Sequence, residues 1–149
     1  MATLRITTNS FQSKANISSK YTCDGNNVNP ELHIEGIPKD AKSLVLIVDD
    51  PDATMGTWTH WVVFDIPADS FIIAENSIPG IQGMNDFKIT DYRGPCPPSG
   101  SHRYFFKVFA LDSKLNLKQG ASRKSVEQAM KGHVIAQGEI YGLYQRKQS

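Results

Sequence analysis

Ser43-Leu44-Val45-Leu46-Ile47-Val48-Asp49-Asp50-Pro51-Asp52 joins the most apolar run of the chain directly to its most acidic one. Ser43 to Val48 is continuous, aliphatic and rich in β-branched residues, which predicts a buried central strand rather than a half-exposed one. The next four residues hold three carboxylates. Carboxylates repel one another and resist burial, so their crowding beside a core needs compensation by solvent, a cation, backbone N–H groups or a basic side chain. Pro51 fixes its own φ and biases Asp50 away from helix, which predicts a rigid turn at the strand end.

The flanking sequence repeats this rhythm. His60 to Ile66 is a second apolar strand, ended by Pro67, and Tyr104 to Leu111 a third, interrupted by Lys107. Glu139 to Tyr144 reads as a C-terminal strand, with weaker strands at Leu4 to Thr7 and Glu31 to Ile34. Turn residues separate them at Asp24–Asn27, Gly36–Pro38, Pro79-Gly80, Gly94-Pro95 and Ser99-Gly100. One helix is expected over about residues 122–132. Ser122 is a candidate cap, and Val126, Ala129, Met130 and His133 share one face. Ser125 and Gln128 could instead form a capping box a turn later, and Lys131-Gly132 is a stop. Strands do not alternate with helices, so a doubly wound parallel sheet is disfavoured. The expected fold is mainly β, a sandwich of two antiparallel sheets with a peripheral helix, in one domain spanning residues 1–149.

Composition narrows the function. The formal net charge is +1, which argues against a nucleic-acid-binding face. No apolar run approaches the roughly 20 residues that span a bilayer, so stable membrane insertion is not expected. Met1 to Gln12 does not read as a signal peptide, which makes the cytoplasm the default location. The two cysteines, Cys23 and Cys96, match no metal or redox spacing. Reduced thiols are the default for a cytosolic protein, and a disulfide is the alternative if their two turns meet in space.

The chemistry concentrates at strand ends. The loop Gly94-Pro95-Cys96-Pro97-Pro98-Ser99-Gly100-Ser101-His102-Arg103-Tyr104 is stiffened by its prolines and runs straight into the third strand. Its Cys-Pro and Pro-Pro bonds are candidates for cis geometry. His60 opens the second strand between Trp58 and Trp61. Asp50, Asp52, His60 and His102 therefore lie at ends of strands that share one core. A metal site lacks ligand spacing. A serine hydrolase lacks a nucleophile elbow around Ser99 or Ser101, and a Cys96–His102 nucleophilic pair has no sign of an activated thiol. A weak hydrolase that uses Asp50 and His60 as an acid–base pair is a further alternative. An anion pocket fits best. In it His60 and His102 donate hydrogen bonds, amides near Gly94 and Cys96 form a nest, and Asp50 and Asp52 orient the imidazoles or take up an attached amine.

At these residues the sequence resembles the phosphatidylethanolamine-binding protein family, including the Raf-kinase-inhibitor-like proteins. Asp50-Pro51-Asp52-Ala53 followed by Trp58-Thr59-His60 is similar to its first signature. Gly94-Pro95-Cys96-Pro97-Pro98 followed by Gly100-Ser101-His102-Arg103-Tyr104 is similar to its second. Tyr21–Gly25, Asn29–Leu32, Gly132–Ala136 and Gly142–Tyr144 look like the short bacterial and archaeal branch. The resemblance implies a β-sandwich with peripheral helices. It also implies a small pocket for phosphate-like anions or phosphoethanolamine-type head groups, lined by Asp50, Asp52, His60, Gly94, Cys96, Pro98, His102 and Tyr104. Most members are not regarded as enzymes and act as inhibitors or scaffolds for proteases and kinases. No cofactor or metal is implied, and homodimers are known among relatives. Thr54 stands where the family usually has proline after the acidic segment, so the pocket rim is expected to differ.

Overall fold

The computed structural model describes residues 2–146. The strands in chain order are β1 (Ala2–Thr3), β2 (Arg5–Thr7), β3 (Leu32–Glu35), β4 (Ser43–Asp50), β5 (Trp58–Pro67), β6 (Ile72–Ile73), β7 (Ile81–Gln82), β8 (His102–Leu111) and β9 (Val134–Tyr144). A 3-10 turn covers Ser19–Tyr21, and the helix α1 covers Arg123–Met130. The large sheet has the order β1-β9-β8-β4-β5-β7, and the small sheet β2-β3-β6.

The quoted run is the central strand, and every residue of β4 is buried. Successive side chains of a strand point to opposite faces, so one run supplies two cores. Leu44, Leu46 and Val48 pack toward the small sheet with Leu32, Ile34 and Ile73. Val45 and Ile47 pack on the other side with Val62, Phe64 and the helix residues Val126 and Met130. A layer covers each face, which explains why β4 is apolar throughout rather than alternating. Each such fully buried side chain contributes about 1.5–3 kcal/mol relative to exposure.

The helix starts where Ser122 caps it: its Oγ accepts the Ser125 N–H at 3.1 Å. The alternative capping box one turn later is not used. His133 lies beyond the helix and bonds Asp112 instead, at 2.8 Å.

Three details differ from expectation. The strand expected over Leu4 to Thr7 forms as β2 one residue later, and a separate short strand, β1, precedes it, because the chain crosses from the large sheet to the small one at Leu4. The sheets are not wholly antiparallel, since β1 pairs with β9 in parallel. That crossing presses Leu4 onto Gly138, where a Cβ would lie 2.1 Å from the Leu4 carbonyl oxygen, so the site accepts only glycine. The described residues also contain no cis peptide bond.

Candidate functional site

Antiparallel pairing dictates where the site forms. β4 runs against both β5 and β8, so its acidic C-terminal end meets the N-terminal ends of both neighbours. Asp50 lies opposite Trp58, and Asp49 opposite Thr59 and Phe105. His60, His102 and Tyr104 are thereby gathered around Asp50. They line a cavity of about 230 Å³ together with Ala53, Thr54, Met55, Trp58, Phe87, Cys96, Pro97 and Pro98. That volume lies just below the usual range for drug-sized ligands and suits a small polar group.

Each carboxylate of the acidic turn finds its own compensation. Asp49 points away from the cavity: its Oδ2 lies 2.9 Å from Lys107 Nζ and 2.9 Å from Arg123 Nη1, beneath α1. Asp50 Oδ2 accepts from His102 Nδ1 at 2.6 Å, and its Oδ1 accepts from the Asp52 N–H at 2.8 Å. Asp52 takes the fork of Arg103, Nε to Oδ2 at 2.9 Å and Nη2 to Oδ1 at 2.8 Å. This clamp holds the Asp52 carboxyl down at about 2.

The two imidazoles are oriented from behind. His60 Nδ1 lies 2.6 Å from the Arg93 carbonyl oxygen. A carbonyl only accepts, so Nδ1 carries the proton and Nε2 is the nitrogen left for a ligand. His102 commits its own Nδ1 to Asp50 in the same way. Burial pushes the His60 pKa below its ordinary 6.5, against the opposing pull of the Arg93 carbonyl and the nearby carboxylates Asp50, Asp49 and Asp86. Burial, reinforced by the Asp50 carboxylate, pushes Tyr104 far up, so it remains a phenol. Edge-on aromatic contacts fix the walls: His60 to Phe87 at 5.3 Å, His60 to Tyr104 at 5.4 Å, and Trp58 to Phe87 at 5.5 Å between ring centroids.

Six of the residues expected in the pocket line it: Asp50, His60, Cys96, Pro98, His102 and Tyr104. Asp52 and Gly94 do not. Asp52 is turned outward by Arg103. The Gly94 N–H donates to Asn27 Oδ1 at 2.7 Å, so it is spent inside the protein and forms no anion nest. Gly94 is glycine for packing, because a Cβ there would lie 1.9 Å from the Tyr21 carbonyl oxygen. Neither carboxylate is free for an amine, since Asp50 and Asp52 both hold protein partners. Phe87 and Trp58 were missed as walls. Phe87 sits in an irregular loop where the Asn85 side chain accepts its N–H at 2.9 Å. Asn85-Asp86 as a turn was the only sequence signal there.

The cysteines are joined, which overturns the expectation of reduced thiols: Cys23 and Cys96 form a disulfide with Cα atoms 5.5 Å apart. The Cys23 N–H also donates to the Pro95 carbonyl at 3.1 Å, so the proline-rich loop is fastened to the turn after Tyr21. A bonded Cys96 cannot serve as a nucleophile. Among the described residues no group of three His, Cys, Asp or Glu side chains is placed to hold a metal. A wider groove of about 800 Å³ lies at Asn16, Asp24, Ser101, Tyr144 and Arg146. Its carboxylate, Asp24, is already engaged by Tyr144 and Arg146 at 2.5 and 3.1 Å. No described helix is long and apolar enough to cross a membrane.

Comparison with known proteins agrees with this architecture. The sequence model of the phosphatidylethanolamine-binding protein family matches residues 7–145. A UPF0098 protein of Methanothermobacter thermautotrophicus is 49% identical over 150 residues, covering 96% of this chain and 99% of the relative. Another, from Pyrococcus horikoshii, is 55% identical over 141 residues, covering 88% of this chain and 71% of the relative. The crystal structure of a phosphatidylethanolamine-binding protein homologue from Chlamydia trachomatis superimposes with a TM-score of 0.94 at 36% identity, covering 99% of this chain and all of the other. YbcL of E. coli, described as a member of the mammalian family, gives 0.89 at 31% identity over 98% of this chain. The chain belongs to the phosphatidylethanolamine-binding protein family.

Proposed function

We propose that this family member is a binding and regulatory protein rather than an enzyme, and that its pocket takes a phosphate-like anion or a phosphoethanolamine-type head group. The observation that carries the reading is the pair of backed imidazoles. Two buried rings line one small cavity, each with Nδ1 committed to the protein and Nε2 left over. The two rings differ in what holds them: the Arg93 carbonyl behind His60 and the Asp50 carboxylate behind His102, whose charge strengthens the bond that orients the second ring.

A binding role suits the chemistry better than hydrolysis. Asp50 is paired with His102 and not with His60, so an Asp50–His60 acid–base pair is not formed. Ser99 and Ser101 do not line the cavity, and Cys96 is bonded to Cys23. A second reading, an inhibitor docking on a protease or kinase, draws on the exposed apolar rim, where Met55 is 91% exposed at the pocket mouth. Association into a homodimer is compatible with either reading. We place the protein in the cytoplasm. The disulfide is compatible with that location where intracellular bonds persist, as in hyperthermophilic archaea and bacteria.

The test is an amide NMR titration with inorganic phosphate and phosphoethanolamine at about pH 6, where an ordinary imidazole is largely charged. Shifts centred on Asp50–Met55, Trp58–His60, Phe87 and Cys96–Tyr104 support the pocket. No shift at millimolar ligand overturns it and leaves the docking reading.

A further inference from the structure

The seam between the turn at Tyr21–Asn27 and the proline-rich loop is fastened in two different ways. Up to Pro95 hydrogen bonds hold it. The Tyr92 hydroxyl donates to the Tyr21 carbonyl at 2.8 Å, the Gly94 N–H to Asn27 Oδ1 at 2.7 Å, and the Cys23 N–H to the Pro95 carbonyl at 3.1 Å. At Cys96 the tie becomes covalent. Beyond it, residues 97–101 make no hydrogen bond among the described residues before the chain enters β8 at His102, although Pro97 and Pro98 wall the cavity. The disulfide is therefore the last fastening of that wall.

Its two ends are unequally accessible. Cys23 is exposed, on a turn whose next residues Asp24, Gly25 and Asn26 are exposed as well. Cys96 is half-buried between Pro95 and Pro97, both buried. The groove lined by Ser19, Asp24 and Ser101 opens next to Cys23 and gives a small molecule room there. A thiolate attacks one sulfur of a disulfide from the side opposite the other, so exchange is governed by which sulfur can be reached. Here the open approach is to Cys23, and the prolines obstruct the approach to Cys96.

We infer that Cys23 is a thiol–disulfide exchange site whose substrate is a small thiol or dithiol, and that opening the bridge there releases the cavity wall without unfolding the protein. The sulfur of the incoming thiolate bonds to Cys23 Sγ, the Cys23–Cys96 bond breaks, and its electron pair leaves on Cys96 Sγ, which takes a proton. A second thiolate then displaces Cys23 from the mixed disulfide. Two electrons pass from two thiols to the bridge: the reductant ends as its own disulfide, and the protein gains two thiols. The bonds from Tyr92, Gly94 and Cys23 persist, so only the stretch 96–101 loses its tie. The inference holds whatever the pocket binds.

The test treats the oxidised, native protein with dithiothreitol or reduced glutathione at about pH 8, where thiols are partly ionised. Reduction by dithiothreitol is expected within about tenfold of the rate in unfolding guanidinium. A rate suppressed about 10³-fold or more, set by the small unfolded population, would show that the bridge opens only by unfolding and would overturn the site. Mass mapping of the trapped glutathione adduct should find it on Cys23 over Cys96 by about tenfold or more; an adduct mainly on Cys96 overturns the assignment. Amide spectra of the reduced, ligand-free protein should move at residues 96–104 and at His60, and stay fixed at Asp49, Lys107 and Arg123. The Cys23→Ser, Cys96→Ser variant should give the same pattern. Changes confined to the two cysteines overturn the link to the cavity, and loss of dispersion throughout would make the bridge a staple of the whole fold and overturn the release without unfolding.

Discussion

Asp49 and Asp50 are neighbours in one strand with the same side chain, yet they lie on opposite faces of the sheet. Asp49 is sealed under α1, where Lys107 and Arg123 both reach its Oδ2 and its buried Oδ1 has no partner among the described residues. Asp50 faces the cavity and holds His102 for a ligand. The pleat separates them, and what packs on each face then decides their roles. On one side a helix closes over a carboxylate and makes it structural. On the other the small sheet does not extend over the strand end, and a proline-rich loop forms the wall instead. An acidic cluster in sequence is therefore not an acidic site in space.

The largest effect is expected from the fastening of that loop wall. Removing the disulfide in the Cys23→Ser, Cys96→Ser variant frees a link across 73 residues, which the chain-entropy estimate values at about 4 kcal/mol. Denaturant unfolding measures the loss. Phosphate affinity should fall with it, because Cys96 lines the cavity. Unchanged affinity would mean that the bonds from Cys23 to Pro95 and from Gly94 to Asn27 hold the wall by themselves.

The neighbouring carboxylates come next, as a pair. Asp49→Asn uncouples two cations from a buried partner and should cost about 3 kcal/mol of stability, with phosphate affinity changed less than about twofold. Asp50→Asn replaces one charge-assisted bond to a ring at the cavity edge. It should cost about 1 kcal/mol of stability and about tenfold in phosphate affinity. The opposite ordering in either column would break the division of labour between the two faces.

Much of this was legible in sequence, for identifiable reasons. β4, β5 and β8 are long apolar runs whose burial dominates local preference, so they announce themselves. β6 and β7 do not, because two-residue strands such as Ile72–Ile73 and Ile81–Gln82 carry no period. His60 and His102 were found because strand ends beside stiff loops are few. Asp52 and Gly94 were placed in the pocket by their positions in the acidic turn and the stiff loop, and again by resemblance. Their actual contacts, Arg103 for one and Asn27 with Tyr21 for the other, are partners that no local pattern specifies. Phe87 was invisible for the same reason. The disulfide was undecidable because it depends on two loops meeting, which is a tertiary fact.

The smallest effect is a pH dependence that distinguishes the two faces without a ligand. His60 is favoured neutral in the fold, so its folded pKa lies below the ordinary 6.5 of the unfolded chain. Between those two values the unfolded chain binds the extra proton, so stability rises with pH there and falls as pH drops below about 6.5. One such group contributes a slope of at most about 1.4 kcal/mol per pH unit. The Asp52 contribution lies in a separate, more acid window: it is present above the ordinary 3.8 and lost as pH falls toward about 2. Unfolding midpoints measured from pH 7 to 5 should therefore decline in the native protein and in Asp49→Asn alike, and flatten in His60→Gln. A decline that persists unchanged in His60→Gln would assign it to groups other than His60. The buried imidazole would then not be the proton-sensitive element of the pocket face.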